Sequence, residues 1–245
     1  MNTNQDISSR TQWKTPANHG WLEHKLNKIE LDYVWKCVNE RHEKHCNNVL
    51  AGNIDSSFGL TDKDNWFFNN TLSPLISLYN SLFHDLAAKL PVRSMKHIQN
   101  VDYCLNTWWV NYQKENEFNP LHAHTGVYSF VLWLKIPTEH MEQNDNPISK
   151  GTNHGGIPRI SCFEFGYSDI LGTTRNWTYP LNSTDPIRML FFPAKLHHMV
   201  YPFYNCKEDR ITISGNIGLD TRPGYPTPDN TSNAVYANNH NNGKL

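Results

Sequence analysis

Two histidine clusters and one arginine carry the chemistry this sequence could do. Pro120-Leu121-His122-Ala123-His124 stands just before a strongly apolar run. Residues i and i+2 of an extended chain point to one face, so His122 and His124 can enter a single cavity. The second cluster is Phe192-Pro193-Ala194-Lys195-Leu196-His197-His198-Met199-Val200-Tyr201-Pro202. Strand neighbours face opposite ways, so only one of His197 and His198 can reach that cavity. Three convergent imidazoles hold a divalent metal and leave coordination positions open for substrate and oxygen. A lone His-X-His in a β protein is more often a hydrogen-bonded pair than a metal site. The two clusters in this order, about 75 residues apart and with Arg210 twelve residues after His198, are a far more specific signal.

The surrounding text supplies strands to carry these side chains. Runs rich in aromatic and β-branched residues span about 101–113, 127–136, 159–166, 187–193, 197–204 and 210–218, each bounded by Pro, Gly, Asn or Asp. Upstream, Leu31, Val34, Trp35, Val38 and His42 recur at helical spacing and predict a helix from 31 to about 50, stopped by Gly52. A second apolar stripe from Leu72 to Leu86 predicts a helix over 70–90 ended by Pro91. Ser73-Pro74 could begin a separate piece within it. His42, His45 and His84 ride on these helices as surface or interface residues. Trp13 and Trp21 pack onto the body. Helices followed by many short strands imply a mostly β fold with an N-terminal α-helical layer on the β core. The polar stretch 138–157 has the length of a functional loop, a mobile lid rather than a turn. The tail from Asp220 is expected to be extended.

The bulk numbers exclude several classes. The chain has 245 residues, a net charge of −1 and 18% charged residues, enough for one domain with a sizeable core. It lacks the basic or acidic runs that nucleic acid or an anionic membrane would call for. Its five cysteines are odd in number and contain no Cys-X-X-Cys, so they read as unpaired thiols in a reducing compartment. With neither a signal-peptide pattern nor an apolar run of membrane length, the expectation is a soluble, cytoplasmic protein.

Taken together, the motifs resemble those of the Fe(II)/2-oxoglutarate-dependent oxygenases, in particular the prolyl-hydroxylase-like branch and its phage and marine bacterial relatives. The resemblance covers roughly residues 100–218. It implies a double-stranded β-helix (jelly-roll, cupin-like) core over 99–220, to which the sequence pattern adds a helical support region over 1–98 and a C-terminal tail over 221–245, forming one domain overall. It implies iron(II), 2-oxoglutarate as co-substrate and oxygen. His122 and His124 sit at the family's first motif. Val200 puts the second motif in register with His198 as the third ligand and leaves His197 outside. Arg210 matches the basic residue that takes the far carboxylate of 2-oxoglutarate, Tyr112 a strand tyrosine that touches the co-substrate, and Thr212 a position where relatives often carry Ser. One departure stands out: His124 occupies the place of the usual carboxylate. Three neutral imidazoles can bind Fe(II), or His124 could stand back while water fills the position or Glu164 or an Asp of the 138–157 loop supplies a carboxylate.

Arg210 also has a physical logic of its own, since a buried dicarboxylate needs a fixed cation with a planar fork. Alternation sends one of Trp108 and Trp109 under the helices and the other towards the cavity, both as packing residues. Arg159, Arg175 and Arg188 rank no higher than surface charges. The implied reaction is hydroxylation of a small-molecule or peptidyl substrate with release of succinate and carbon dioxide. Two other classes stay open: a three-His cupin-type oxygenase without 2-oxoglutarate, and a non-enzymatic metal-binding β-sandwich module. A homodimer through the helices is also open.

Overall fold

A computed structural model describes residues 7, 9–12, 14, 18–47, 50–83, 102–152, 159–185 and 187–220, without the side chains of 150–152. The expectations for Trp13, His84, the end of the second helix and the 221–245 tail lie outside the described residues.

Two antiparallel sheets and a few helices make up the fold. The elements in chain order are β1 (Leu22–Lys25), α1 (Lys28–Asn39), β2 (Ser56–Gly59), α2 (Ser73–Phe83), β3 (Tyr103–Gln113), β4 (Asn119–His122), β5 (Tyr128–Lys135), α3 (His140–Asn144), β6 (Cys162–Ser168), β7 (Thr174–Pro180), β8 (Arg188–Pro193), β9 (His197–Val200) and β10 (Arg210–Leu219). The larger sheet runs β1-β8-β5-β10-β3-β2 and the smaller β4-β9-β6-β7. The first 98 residues are therefore not helical support alone: β1 and β2 form the two edges of the larger sheet.

The helices differ from their predicted bounds for local reasons. α1 begins at a capping box, in which Asn27 accepts from the Ile29 and Glu30 amides and the Glu30 carboxylate accepts from the Asn27 amide. It stops at Asn39, about eleven residues before the predicted end, because the following chain turns along β2: the His42 amide donates to Gly59 O and the Cys46 amide to Ser57 O. The helical spacing of His42 was coincidental. The second helical segment is in two pieces, a π-turn over Phe68–Leu72 and then α2.

Strand alternation gives the larger sheet two working faces. One carries Trp108, Val110, Tyr128, Phe130, Leu132, Met189, Phe191, Ile213 and Ile217 against Val34, Val38, Leu72, Ile76 and Tyr79 of the helical layer. Trp108 stacks on Phe67 at 5.2 Å. The other face sends Val131, Trp133, Leu190 and Phe192 against Phe163, Phe165, Tyr179 and Leu181 of the smaller sheet and its flank. β5 is buried on both faces, which explains why its text is nearly continuously apolar rather than alternating. Trp21 closes one end, donating from Nε1 to the Tyr179 hydroxyl at 2.6 Å.

Just after the first histidine motif the chain must turn from β4 of the smaller sheet into β5 of the larger one. Gly126 does this with φ +102°, and a Cβ there would lie 2.7 Å from Ile217 O. Gly126→Ala is expected to destabilise the chain by roughly 2–3 kcal/mol. The check is the urea midpoint, which should fall with the denaturant slope unchanged; an unaltered midpoint would contradict the reading.

Candidate metal and anion site

β4 and β9 pair antiparallel with His122 opposite His198, which brings residues 76 apart in sequence to adjacent positions. His124 follows two residues later, its amide donating to Ala194 O at 2.8 Å. The candidate ligand nitrogens of His122, His124 and His198 all lie within 4.8 Å of one another. His197 is exposed, whereas His198 is buried against Phe163 and Phe192.

The tautomers are set by backbone. His122 Nδ1 donates to Pro120 O at 2.7 Å and His198 Nδ1 to Leu196 O at 2.9 Å, leaving each Nε2 as the lone-pair nitrogen. His124 Nε2 is 3.1 Å from His198 Nε2. Two nitrogens each roughly 2.1 Å from one first-row ion at right angles would be about 3 Å apart, so the donor set fits such a metal. Burial lowers all three histidines. His124 is held down to about 4 by burial and then by His122. His198 lies well below the ordinary 6.5 through burial and repulsion from the other two. His122 is lowered by burial, partly offset by its bond to Pro120. All three are therefore neutral at pH 7, the form that ligates metals.

No carboxylate completes the set among the described residues. Glu164 cannot serve. It pairs with Met199 while the adjacent Phe165 pairs with His198, so alternation turns it to the opposite face of the smaller sheet. There it accepts from Thr178 Oγ1 at 2.8 Å and sits 3.3 Å from Arg159 Nε. The other two surface arginines face acids: Arg175 pairs with Asp169 and Arg188 with Asp185.

The histidines line a cavity of about 410 Å³ with Trp109, Asn111, Asn119, Ser214 and Asn216, and with Leu50, Ala51, Gly52 and Ile54 at another wall. Its floor is the inner row of the three central strands. Thr107 pairs with Asn216, Trp109 with Ser214, Asn111 with Thr212 and Gln113 with Arg210. Asn111 Nδ2 donates to Thr212 Oγ1 at 3.5 Å, so the row runs without a break from the cavity to Arg210.

Arg210 is 0% exposed. Among the described residues its guanidinium meets only neutral acceptors: Ser161 Oγ at 2.6 Å, Gln113 Oε1 at 3.4 Å and Tyr201 O at 3.4 Å. It lies over the Phe203 ring at 4.8 Å. Burial lowers its pKa to about 9, which still leaves it charged at neutral pH. The nearby Cys162 thiol, pushed up to about 12 by burial, gives it no counter-charge. Arg210 Nε is buried without a hydrogen-bond partner, and so is Trp133 Nε1, whose residue pairs with Thr212 on β5. A desolvated cation with no acid beside it among the described residues, and with orphaned donors in its row, fits an anionic, acceptor-rich ligand.

One expected contact fails. Tyr112 belongs to the outer row: it pairs with Ile211 and Ser56, packs in the helix-side core, meets the Phe58 ring at 6.0 Å and lies under the Arg41 guanidinium. The parity of β3 points it away from the cavity, and Asn111 and Gln113 take that side. Those two, with Ser161 and Trp133, were not singled out from the sequence. The β3–β10 register, with Gln113 opposite Arg210, could have marked Asn111 and Gln113, and no sequence signal marks Ser161 or Trp133. The expected lid is partly structured. α3 docks through a reciprocal pair, the Tyr204 amide to Gln143 Oε1 at 2.8 Å and Gln143 Nε2 to Tyr204 O at 3.0 Å, while 153–158 lie outside the described residues. Trp109, tilted 6.1 Å from His124, is the member of the Trp pair at the cavity.

Residues 107–216 match the family model described as "Putative 2OG-Fe(II) oxygenase", the superfamily that the motifs resemble. A search of curated proteins gives no match. Among solved structures, the chain is similar to a prolyl-4-hydroxylase from Pseudomonas putida, with 14% identity, 81% of this chain and 92% of that chain covered, and a TM-score of 0.41. It is also similar to a prolyl hydroxylase from Trichoplax adhaerens, solved with a hypoxia inducible factor oxygen degradation domain peptide fragment, with 12% identity, 82% and 83% coverage, and a TM-score of 0.42.

The depressed histidines set the acid sensitivity of the metal-free chain. Below 6.5 the unfolded chain takes protons that the folded site refuses, so stability is fully present above that value and is lost as pH falls towards 4. The slope should be up to about 1.4 kcal/mol per pH unit for each histidine. Urea midpoints measured at pH 7.0, 5.5 and 4.5 should decline. The decline should be shallower in His124→Asn, and equal slopes in the two proteins would contradict the assignment.

Proposed function

We propose that this chain is an Fe(II)- and 2-oxoglutarate-dependent dioxygenase, built on a double-stranded β-helix formed by its two sheets, that hydroxylates a small-molecule or peptidyl substrate. The observation that carries the reading is the pairing of two features across the two sheets: a neutral three-imidazole cluster on the smaller sheet and its flank, and a fully buried arginine on the larger sheet with no acid beside it among the described residues. The family match over 107–216 supports it. A cupin-type oxygenase or a passive binding module would use the histidines but has no use for the arginine.

Iron(II) with 2-oxoglutarate and oxygen would supply the oxidising chemistry, with succinate and carbon dioxide as co-products. The chain's own residues do the rest. His122, His124 and His198 hold the ion, and their rings are fixed from behind by Pro120 O, Leu196 O and the Phe163 and Phe192 rings. Arg210 takes the far carboxylate, in a site dry enough for a charge-assisted bond to count. Thr212 and Trp133 lie on the same inner row and offer hydroxyl and indole donors to the co-substrate. Trp109 and the Leu50–Ile54 wall shape the remaining space, exclude water and present one C–H bond of the substrate.

With Fe(II) added anaerobically, 2-oxoglutarate should raise a weak visible charge-transfer band, and oxygen should then yield succinate. Arg210→Met should weaken 2-oxoglutarate binding by roughly ten- to a hundredfold while leaving metal affinity unchanged. Neither band nor succinate from the parent chain would overturn the assignment.

A further inference from the structure

Ser161 stands at the turn into β6 with φ +54°, a left-handed conformation unusual for serine. It is 0% exposed. Two backbone bonds lock it there, its amide to Pro202 O at 2.9 Å and the Leu181 amide to its carbonyl at 3.1 Å. The result of this conformation is a hydroxyl placed 2.6 Å from Arg210 Nη2, with Thr138 Oγ1 3.3 Å behind it.

A guanidinium has five N–H donors. Gln113 Oε1 and Tyr201 O occupy Nη1, and Ser161 Oγ occupies one hydrogen of Nη2. The two left over are the other Nη2 hydrogen and the Nε hydrogen, and Nε is buried without a partner. Nε–H and the Nη2 hydrogen next to it form the edge of a guanidinium that is spaced to take both oxygens of a carboxylate, and the Nε–H of that edge has no partner among the described residues. From this geometry we infer that Ser161 is a positioning residue: it fixes the rotation of the Arg210 guanidinium so that its Nε/Nη2 edge is presented to the distal carboxylate of a dicarboxylate co-substrate. The inference rests on the function proposed above and extends it to selectivity. Ser161 makes the site choose a 2-oxo acid with a second carboxylate over one without.

The test compares 2-oxoglutarate with pyruvate, which shares the 2-oxo acid head and lacks the distal carboxylate. Affinities are measured on Fe(II)-loaded protein under anaerobic conditions by calorimetry, for the parent chain and for Ser161→Gly. Glycine adopts the positive φ freely, so this variant removes the hydroxyl without straining the turn. The expected result is roughly tenfold or greater weakening for 2-oxoglutarate, with pyruvate and Fe(II) affinity unchanged. Unaltered 2-oxoglutarate affinity, or equal loss for both acids, would overturn the role of Ser161. If the parent chain binds Fe(II) but does not bind 2-oxoglutarate, the proposed function fails first and takes this inference with it.

Discussion

The antiparallel pairing of β4 with β9 is the constraint from which the site follows. Each is only four residues long, and β4 is an edge strand of the smaller sheet. Their register sets His122 against His198. The turn at Gly126 then brings His124 over the same point before the chain enters β5. Three imidazoles are kept neutral by burial and by one another, a state that costs stability in acid and suits a cation in its place.

The larger sheet makes the complementary contribution. Its helix-side face is a conventional apolar core, while the inner row of β3 and β10 is polar from Thr107 to Arg210 apart from Trp109. Burying a guanidinium among neutral acceptors costs more than those bonds return unless an anion completes the site. On the proposed function, the histidine-held ion and Arg210 would take the two ends of one ligand: an atom pair for the ion, a carboxylate for the arginine.

Much of this was legible in the text because it depends on alternation, which is local. The six strands over 103–219 that carry the core, the rule that only one of His197 and His198 faces inward and the division of labour between Trp108 and Trp109 follow from the period of two, whereas the choice of His198 rests on the resembled motif's register at Val200. What was not legible depends on register and on non-local bonding. Tyr112 was favoured by its distance from His122 in the motif, yet it lies one residue off the row that faces the cavity. The edge strands β1, β2, β4 and β7 are short or polar, and their existence is decided by the neighbours they pair with. Ser161 carries no sequence mark, because its role arises from a backbone conformation imposed by Pro202 and Leu181.

The departure from a carboxylate ligand is the point at which the proposed chemistry is most exposed. X-ray absorption at the iron edge, on Fe(II)-loaded chain and on His124→Ala, addresses it directly. Convergence of the three rings gives one ion per chain with scattering from three imidazoles, falling to two in the variant. An ion whose shell holds two imidazoles in both proteins, or is made of oxygen alone, would contradict it.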